Sequence, residues 1–299
     1  DTLLDFRFVD TEQAYGADPV SVLCPHLIRD VRDTGHRPAR SVSDGHQLFL
    51  INGDGTACVM TVMRKQAVIA GAPWQAAGGG QFRAILCRRD FSVQAAIERD
   101  GDYWLETWTP GFPLDWATRV VAAARTLVTG LAYLAGRTDV WAIADDEVIG
   151  PLTVSGTGEA TLPAAAEDIA VGLLPDWFVR GQTVRAKLQQ AQPFRSPGRI
   201  YEVELALKET GALQIGTNGG PHQVVPLTYF GDGFGDAGPL AVPDGGAPQL
   251  PLMQRLFTGS TVVQGLLGVS RHPYFELSRA VPSPVTVKAV RYELSDKGD

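Results

Sequence analysis

Three adjacent acidic residues are the most chemically suggestive feature of the sequence. Asp145, Asp146 and Glu147 lie within the strand-like run "VWAIADDEVIGPLTVSGTGEATLP", residues 140–163. Carboxylate pairs divide acid and base roles when they face each other in a partly desolvated cleft. Consecutive residues on a hairpin turn splay toward solvent instead, and Asp is favoured there because its side chain bonds the backbone. The pattern therefore predicts a turn at 145–147, and no catalytic residue is assigned.

Two glycine-rich segments contain the oxygen-bearing residues of a cation-binding loop. They are "NGDGT" at 52–56 and "GDGFGD" at 231–236. Neither segment has the acidic residue at the twelfth position that completes an EF-hand loop. Gly and Asp are also the residues that tight turns favour. Both segments are therefore predicted to be turns, and no metal ligand is assigned.

The histidines and serines show no spacing that is typical of a catalytic or metal site. The histidines are His26, His36, His46, His222 and His272. No HExxH motif occurs, no two histidines are placed at i and i+4, and neither a GxSxG elbow nor a Walker loop is present. Each histidine is predicted to lie on the surface or in a loop. These absences predict that the chain is not an enzyme and holds no cofactor.

The cysteines and tryptophans are expected to have structural roles. Cys24, Cys58 and Cys87 form no CxxC pair, which predicts reduced, buried thiols in place of a disulfide framework or a zinc site. The tryptophans are interpreted as anchors of a core or an interface, in preference to a sugar-binding platform. Four tryptophans stand out in this respect: Trp104, Trp108, Trp141 and Trp177.

Composition and charge are those of an ordinary globular protein. Of the 299 residues, 44% are hydrophobic and 20% are charged, and the net charge is −7. The chain has no basic block that would bind nucleic acid avidly, and an acidic surface would let nucleic acid pass without sticking. No apolar run is long enough for a transmembrane helix. The start lacks a basic region and an initiating Met, so we expect no signal peptide.

The hydrophobic pattern predicts a mainly β chain. Residues 1–110 alternate in short runs with a turn every 8 to 12 residues, and hairpins are expected at 52–55 and at Asp100-Gly101. The Ala-rich segment 114–136 could be a helix by propensity, but its β-branched residues favour extended structure. Residues 138–174 are expected to form a compact all-β module.

The C-terminal part also predicts strands. Residues 199–216 alternate cleanly, with one face composed of Tyr201, Val203, Leu205 and Leu207. The segment 181–193 is compatible with one helical turn or with a strand. Residues 217–251 carry little periodicity, and a long irregular stretch is usually functional or mobile. Further strands are expected toward the C-terminus.

The succession of segments resembles one protein family. Residues 128–174 resemble a module of bacteriophage tail nozzle, or tail tubular protein B-like, proteins: a GLxxLxG turn, a strand, an acidic turn, a TVSxG hairpin, a "TLP" strand and a closing "VGL" strand. Residues 43–74, "SDGHQLFLINGDGTACVMTVMRKQAVIAGAPW", are similar to the propeller-blade stretch of that family. Weaker similarities to family segments lie at 5–30, 95–108, 199–216 and 257–294.

The resemblance implies a fold and an organisation. The fold would consist of short-strand meanders, with a partly β-propeller-like N-terminal part followed by small β-sandwich or barrel modules. The expected domains are a propeller-blade-like meander at 1–135, a small all-β module at 136–180 and a C-terminal β domain with long loops at 181–299.

The resemblance also implies a function. The chain would be a structural virion protein of a phage tail, made in the host cytoplasm. It would form a homo-oligomeric ring, a hexamer, around the DNA exit channel, and DNA would pass through without sequence-specific binding. Portal-adaptor or tail-tube proteins and tail fibres are the expected partners. An alternative is a tail-tip or baseplate protein of a long-tailed phage that presents receptor-binding components. A second alternative is a glycan-cleaving tail protein that uses carboxylates near Asp145.

Overall fold

A computed structural model describes the chain in two compact units, Asp1–Phe112 and Pro113–Asp299, which are treated separately below. The described residues are 2–9, 13–22, 24–41, 44–63, 66, 68–183, 198–227, 249–251 and 256–296. The segment "GDGFGD" at 231–236 lies outside them, as do most of the loop region 217–251 and residues 184–193 of the ambiguous segment.

Short antiparallel strands make up nearly all of the regular structure in these residues. The strands are β1 (Leu4–Val9), β2 (Ala14–Pro19), β3 (Val31–Arg37), β4 (His46–Asn52), β5 (Ala57–Met63), β6 (Val68–Trp74), β7 (Gln81–Cys87), β8 (Val93–Arg99), β9 (Asp102–Trp108), β10 (Asp115–Val128), β11 (Val140–Ala144), β12 (Glu147–Leu152), β13 (Ala160–Leu173), β14 (Phe178–Arg180), β15 (Gly198–Thr210), β16 (Gln214–Thr217), β17 (Gln223–Val224), β18 (Gln249–Pro251), β19 (Phe257–Gln264), β20 (Phe275–Ser278) and β21 (Val287–Asp296). Single 3-10 turns span Pro25–Leu27, Ala77–Gly79 and Ala132–Leu134. The prediction of a mainly β chain built of short-strand meanders is confirmed.

The first unit contains a two-stranded ribbon and two meander sheets. The ribbon is β1-β2, and the sheets have the orders β3-β4-β5-β6 and β7-β8-β9. Strands adjacent in sequence pair because tight turns join them. One of these turns is at Asp100-Gly101, where φ is 53° and 90°, the positive values that a two-residue hairpin requires.

A hydrophobic core lies between strands of the two meander sheets. Phe49 and Ile51 of β4 pack with Phe82 of β7 and Ile97 of β8, and all four side chains are buried. The strict alternation of buried residues along β8 directs one face of its sheet toward this core. Trp108 packs against the core as the sequence analysis expected.

The second unit contains three antiparallel sheets. Their orders are β10-β13-β11-β12-β18, β14-β20-β16-β17 and β19-β15-β21. The Ala-rich segment forms the 14-residue strand β10, so the prediction of extended structure there is confirmed. β10 falls in the first predicted domain, and its partner β13 falls in the second. The three-domain division stays a prediction, because a compact unit can hold more than one sheet domain.

The buried face of β15 differs from the predicted one at a single position. Val203, Leu205 and Leu207 are buried as expected, but Ile200 is buried in place of Tyr201, which is exposed. The pairing of β15 with β21 shifts register between Ile200 and Glu202. An irregularity of this kind reverses the alternation of side chains, so the residue before the shift moves to the core face.

Candidate functional site

The three acidic residues lie at a two-residue hairpin turn between β11 and β12. Ala144 and Glu147 form the last cross-strand pair, and Asp145 and Asp146 connect them with φ of 47° and 71°. Positive φ at both central residues matches the twist of the flanking strands, and Asp tolerates this conformation better than most residues do. The turn predicted at 145–147 is therefore confirmed.

The carboxylate of Asp145 bonds the neighbouring strand. It accepts hydrogen bonds from the backbone amides of Glu167 at 3.1 Å and Asp168 at 2.9 Å, both in β13. The Asp145 amide donates to the carbonyl of Asp168 at 2.9 Å. Arg119 of β10 pairs with the Asp168 side chain, and this hydrogen bond lowers the pKa of Asp168. The carboxylate of Asp145 thus joins the turn to the sheet.

The "NGDGT" segment is also a closed turn. The Asp54 carboxylate accepts hydrogen bonds from the Thr56 amide at 3.0 Å and the Thr56 hydroxyl at 2.6 Å, which lower the pKa of Asp54. The Asn52 side chain donates to the carbonyl of Leu27 and accepts from the amide of Arg29. The oxygen atoms that suggested a cation loop are engaged by the protein itself.

The five histidines are exposed, as predicted. His36 and His46 contact each other, with 3.2 Å between Nε2 and Nδ1. Their rings are nearly parallel and their centroids are 5.5 Å apart. The two rings are stacked on each other at the surface. Among the described residues, no group of three or more His, Cys, Asp or Glu side chains could hold a metal ion.

The cysteines are free thiols. Cys24 and Cys58 are buried and Cys87 is half-buried, so the prediction of buried thiols is confirmed for two of the three. Burial raises the pKa of Cys58 to about 11, which makes its thiolate scarce at neutral pH.

A polar cluster that the sequence analysis missed lies on the sheet β14-β20-β16-β17. It consists of Arg180, His222, Glu276 and Ser278. Glu276 and Ser278 lie on one face of β20. Arg180 of β14 lies directly opposite Glu276 in the pairing of these two strands. The ring of His222, just before β17, covers Gly216 of β16, where a Cβ would meet the ring at 2.5 Å. These residues are far apart in sequence, so no motif could have indicated them.

The cluster has the residue types of a Ser–His–acid triad with a different pattern of bonds. His222 Nδ1 lies 2.6 Å from Ser278 Oγ, but His222 Nε2 is 4.0 Å from Glu276 Oε2, beyond hydrogen-bond distance. Arg180 donates twice to Glu276 Oε1, at 2.8 Å and 2.6 Å. The carboxylate therefore neutralises a guanidinium and does not orient the imidazole. The arrangement joins β14, β20 and the segment before β17.

Comparisons with known proteins give no family. No protein-family model matches the chain, and no curated protein matches it. One similar solved structure is the exo-beta-1,3-galactanase from Phanerochaete chrysosporium with galactose, at a TM-score of 0.22 and 12% sequence identity. The match covers 98% of this chain and 65% of that chain, so the chain spans about two thirds of its length. At this TM-score the likeness carries no argument about fold or activity. Among the described residues, no helix has the length and apolar character needed to cross a membrane.

Proposed function

We propose that the chain is a structural subunit of a bacteriophage tail that assembles as a ring around the channel through which DNA leaves the particle. The observation that carries the proposal is the packing of residues 128–174, the segment with the strongest resemblance to the tail nozzle family. Two of its motifs, the GLxxLxG turn and the TVSxG hairpin, are separated in sequence and contact each other directly.

Three backbone hydrogen bonds join the segments 130–137 and 153–158, which contain the two motifs. The Leu131 amide donates to the carbonyl of Gly158 at 3.0 Å, and the Gly136 amide donates to the carbonyl of Val154 at 3.0 Å. The Val154 amide donates to the carbonyl of Arg137 at 2.9 Å. Residues that carry the resemblance thus form one packed element. This is the behaviour expected if they constitute a module with a common structural role.

Gly158 brings the two motifs closest together. Its φ is 77°, and a Cβ at this position would lie 2.5 Å from the backbone nitrogen of Ala132. Only glycine accommodates both the positive φ and this contact. Gly158, which lies in the turn that follows Thr153-Val154-Ser155, is therefore explained by its contact with the GLxxLxG turn.

The edge strand β10 supports association with other subunits. It lies at the end of the strand order of its sheet, and residues 117–127 contain no buried side chain. Val121 is 71% exposed and Leu127 is 46% exposed. A long strand at a sheet edge can bond another chain through its unpaired backbone groups. In a ring, a neighbouring subunit would cover it.

Electron microscopy of the purified chain tests the proposal, with Val121→Lys as the disrupting variant. We expect the natural chain to form rings with a central channel and Val121→Lys to remain smaller, since an edge lysine opposes strand association. Val262→Lys is the matched control. Val262 is also exposed and lies opposite Glu204, as Val121 lies opposite Asp168.

Three results would count against the proposal. They are a chain that stays monomeric at high concentration, particles that contain none of it, and rings that form equally well with Val121→Lys. A particle image that places the subunit at the tip of a long tail would favour the baseplate alternative.

A further inference from the structure

The outer face of the sheet β7-β8-β9 is apolar and exposed. Leu105 is 72% exposed, Tyr103 is 70% exposed and Leu86 is 55% exposed. These three side chains lie on the face opposite the buried core of the unit, since β-strand residues alternate between faces. Ala84 and Ala96 lie in register with Leu105 across the sheet. The centre of this face therefore consists of small and apolar side chains.

The two ends of this outer face carry opposite charges. Arg88 and Arg89 follow β7 directly, and Asp100 and Asp102 flank the turn between β8 and β9. Antiparallel pairing places these groups at opposite ends of the sheet, because Cys87 pairs with Val93 and Arg99 pairs with Asp102. We call them the basic end and the acidic end.

The other charged groups on this sheet are largely neutralised within the unit. Arg83 pairs with Glu98 at 2.7 Å, and Arg99 pairs with Glu106 at 2.8 Å. At the basic end, the Ser92 hydroxyl donates to the Asp90 carboxylate, which keeps its negative charge. The guanidinium of Arg40, 4.7 Å from the centre of the Phe91 ring, offsets that charge, so Arg88 and Arg89 leave this end positive. The uncompensated charge on this face therefore lies at its two ends.

We infer that this outer face is a contact between two copies of the chain related by a two-fold axis. A two-fold contact uses the same patch on both subunits. With the strands of the two copies running in opposite directions, the basic end of each faces the acidic end of the other, and the apolar centres meet. The occupant is a second copy because one face supplies both complementary charges. The inference goes beyond the proposed function, which needs no two-fold contact.

The size of the face indicates a weak association. Three strands of seven residues cover about 340 Å² from the ordinary spacing and rise of β-strands. Stable complexes bury about 800 Å² per partner. The dimer is therefore concentration-dependent, and its polar ends make it sensitive to salt, which screens exposed charges.

Sedimentation velocity of the full chain over a wide concentration series tests the inference. We expect a reversible dimer, weakened in Leu105→Glu and unchanged in Ile69→Glu, which alters an exposed apolar residue of β6. Circular dichroism and melting of each variant establish that it is folded. Equal weakening by both variants would contradict the inference, and so would a natural chain that stays monomeric at low salt.

A pair of charge variants tests the direction of the contact. Arg88→Glu with Arg89→Glu makes both ends acidic, and Asp100→Asn with Asp102→Asn neutralises the acidic end while preserving the positive φ at residue 100, which Asn tolerates. We expect the first variant to self-associate about tenfold more weakly, since like charges then meet. A mixture of the two variants should associate more strongly than either alone.

The mixture of the two charge variants tests whether a second copy of the chain covers this face. Failure of the mixture to exceed both variants would overturn the two-fold contact. Binding of a different protein to this face, without self-association, would overturn it as well. Rings that form with no charge-dependent dimer would contradict this inference and leave the proposed function standing. A charge-dependent dimer without rings would support this inference and count against the proposed function.

Discussion

Asp145 and Asp168 are joined by a reciprocal pair of hydrogen bonds. The Asp145 carboxylate accepts from the Asp168 amide at 2.9 Å, and the Asp145 amide donates to the Asp168 carbonyl at 2.9 Å. Through this pair, the turn between β11 and β12 is bonded to the middle of β13.

Replacing Asp145 with alanine should destabilise the chain by about 1–3 kcal/mol. The change removes the acceptor for two backbone amides and places alanine at a positive φ, which costs more than it does for Asp. Asp145→Asn is the control, since Asn tolerates positive φ and retains one acceptor oxygen. Urea unfolding monitored by circular dichroism gives both values. An Asp145→Ala variant that is as stable as the natural chain would show that the carboxylate contributes nothing.

Replacing Asp168 with asparagine should flatten the acid dependence of stability. Arg119 lowers the pKa of Asp168 in the folded chain, while an unfolded Asp titrates near about 3.9. The ion pair therefore stabilises the fold above about pH 4, and this contribution is lost as the pH falls through the lower, folded-state pKa. Free energies of unfolding measured from pH 7 downward should fall less steeply in Asp168→Asn. The exposed Asp176→Asn variant serves as the comparison, and a curve for Asp168→Asn that matches it would refute the prediction.

Replacing Glu106 with glutamine should destabilise the first unit by about 3–5 kcal/mol. The Arg99 side chain is 1% exposed and pairs with Glu106 at 2.8 Å, so the change removes this carboxylate from a buried guanidinium. Glu98→Gln is the matched control in the same sheet. Its partner Arg83 is far more exposed, and surface pairs contribute about 0–1 kcal/mol. Thermal unfolding of both variants compares them directly, and similar melting temperatures would be inconsistent with a buried pair.

Replacing Gly158 with alanine should destabilise the second unit by about 1–3 kcal/mol, because the new Cβ meets the backbone of Ala132 and the positive φ is strained. At Gly156, two residues earlier, a Cβ would meet no atom within 4 Å. Gly156→Ala should therefore be nearly neutral. Chemical unfolding of the pair checks the difference. A neutral Gly158→Ala variant would show that the two motifs of 128–174 can separate without cost.

The features predicted correctly from sequence are those that local chemistry determines. The turns at Asp100-Gly101 and Asp145-Asp146 require positive φ within a few residues of chain, and Asp and Gly are the residue types that supply it. The extended structure of β10 follows from its β-branched residues, although its alanines favour helix. In each case the conformational preference of the short segment agrees with the conformation that its place in the sheet requires.

The features that sequence could not predict depend on distant partners. The regular alternation of Tyr201 with Val203 predicts a buried Tyr201. The register shift against β21 that exposes Tyr201 arises from pairing across the sheet. The polar contact between His222, just before β17, and Ser278 of β20 joins residues that lie 56 positions apart in the chain. No spacing in the sequence could have indicated that contact.

Asp168 has a mechanical consequence for the sheet of the second unit. It pairs with Val121 of β10, binds Arg119 through its side chain and holds the Asp145 turn through its backbone. A pull along β10 would load its ladder to β13 in shear, so that many hydrogen bonds resist together. The strain would then pass from β13 to the hairpin of β11 and β12, through the β11–β13 ladder and through the bonds of Asp168 to the Asp145 turn. The exposed edge strand is thereby coupled to the interior of its sheet, and Asp168 takes part in the contacts on both sides of β13.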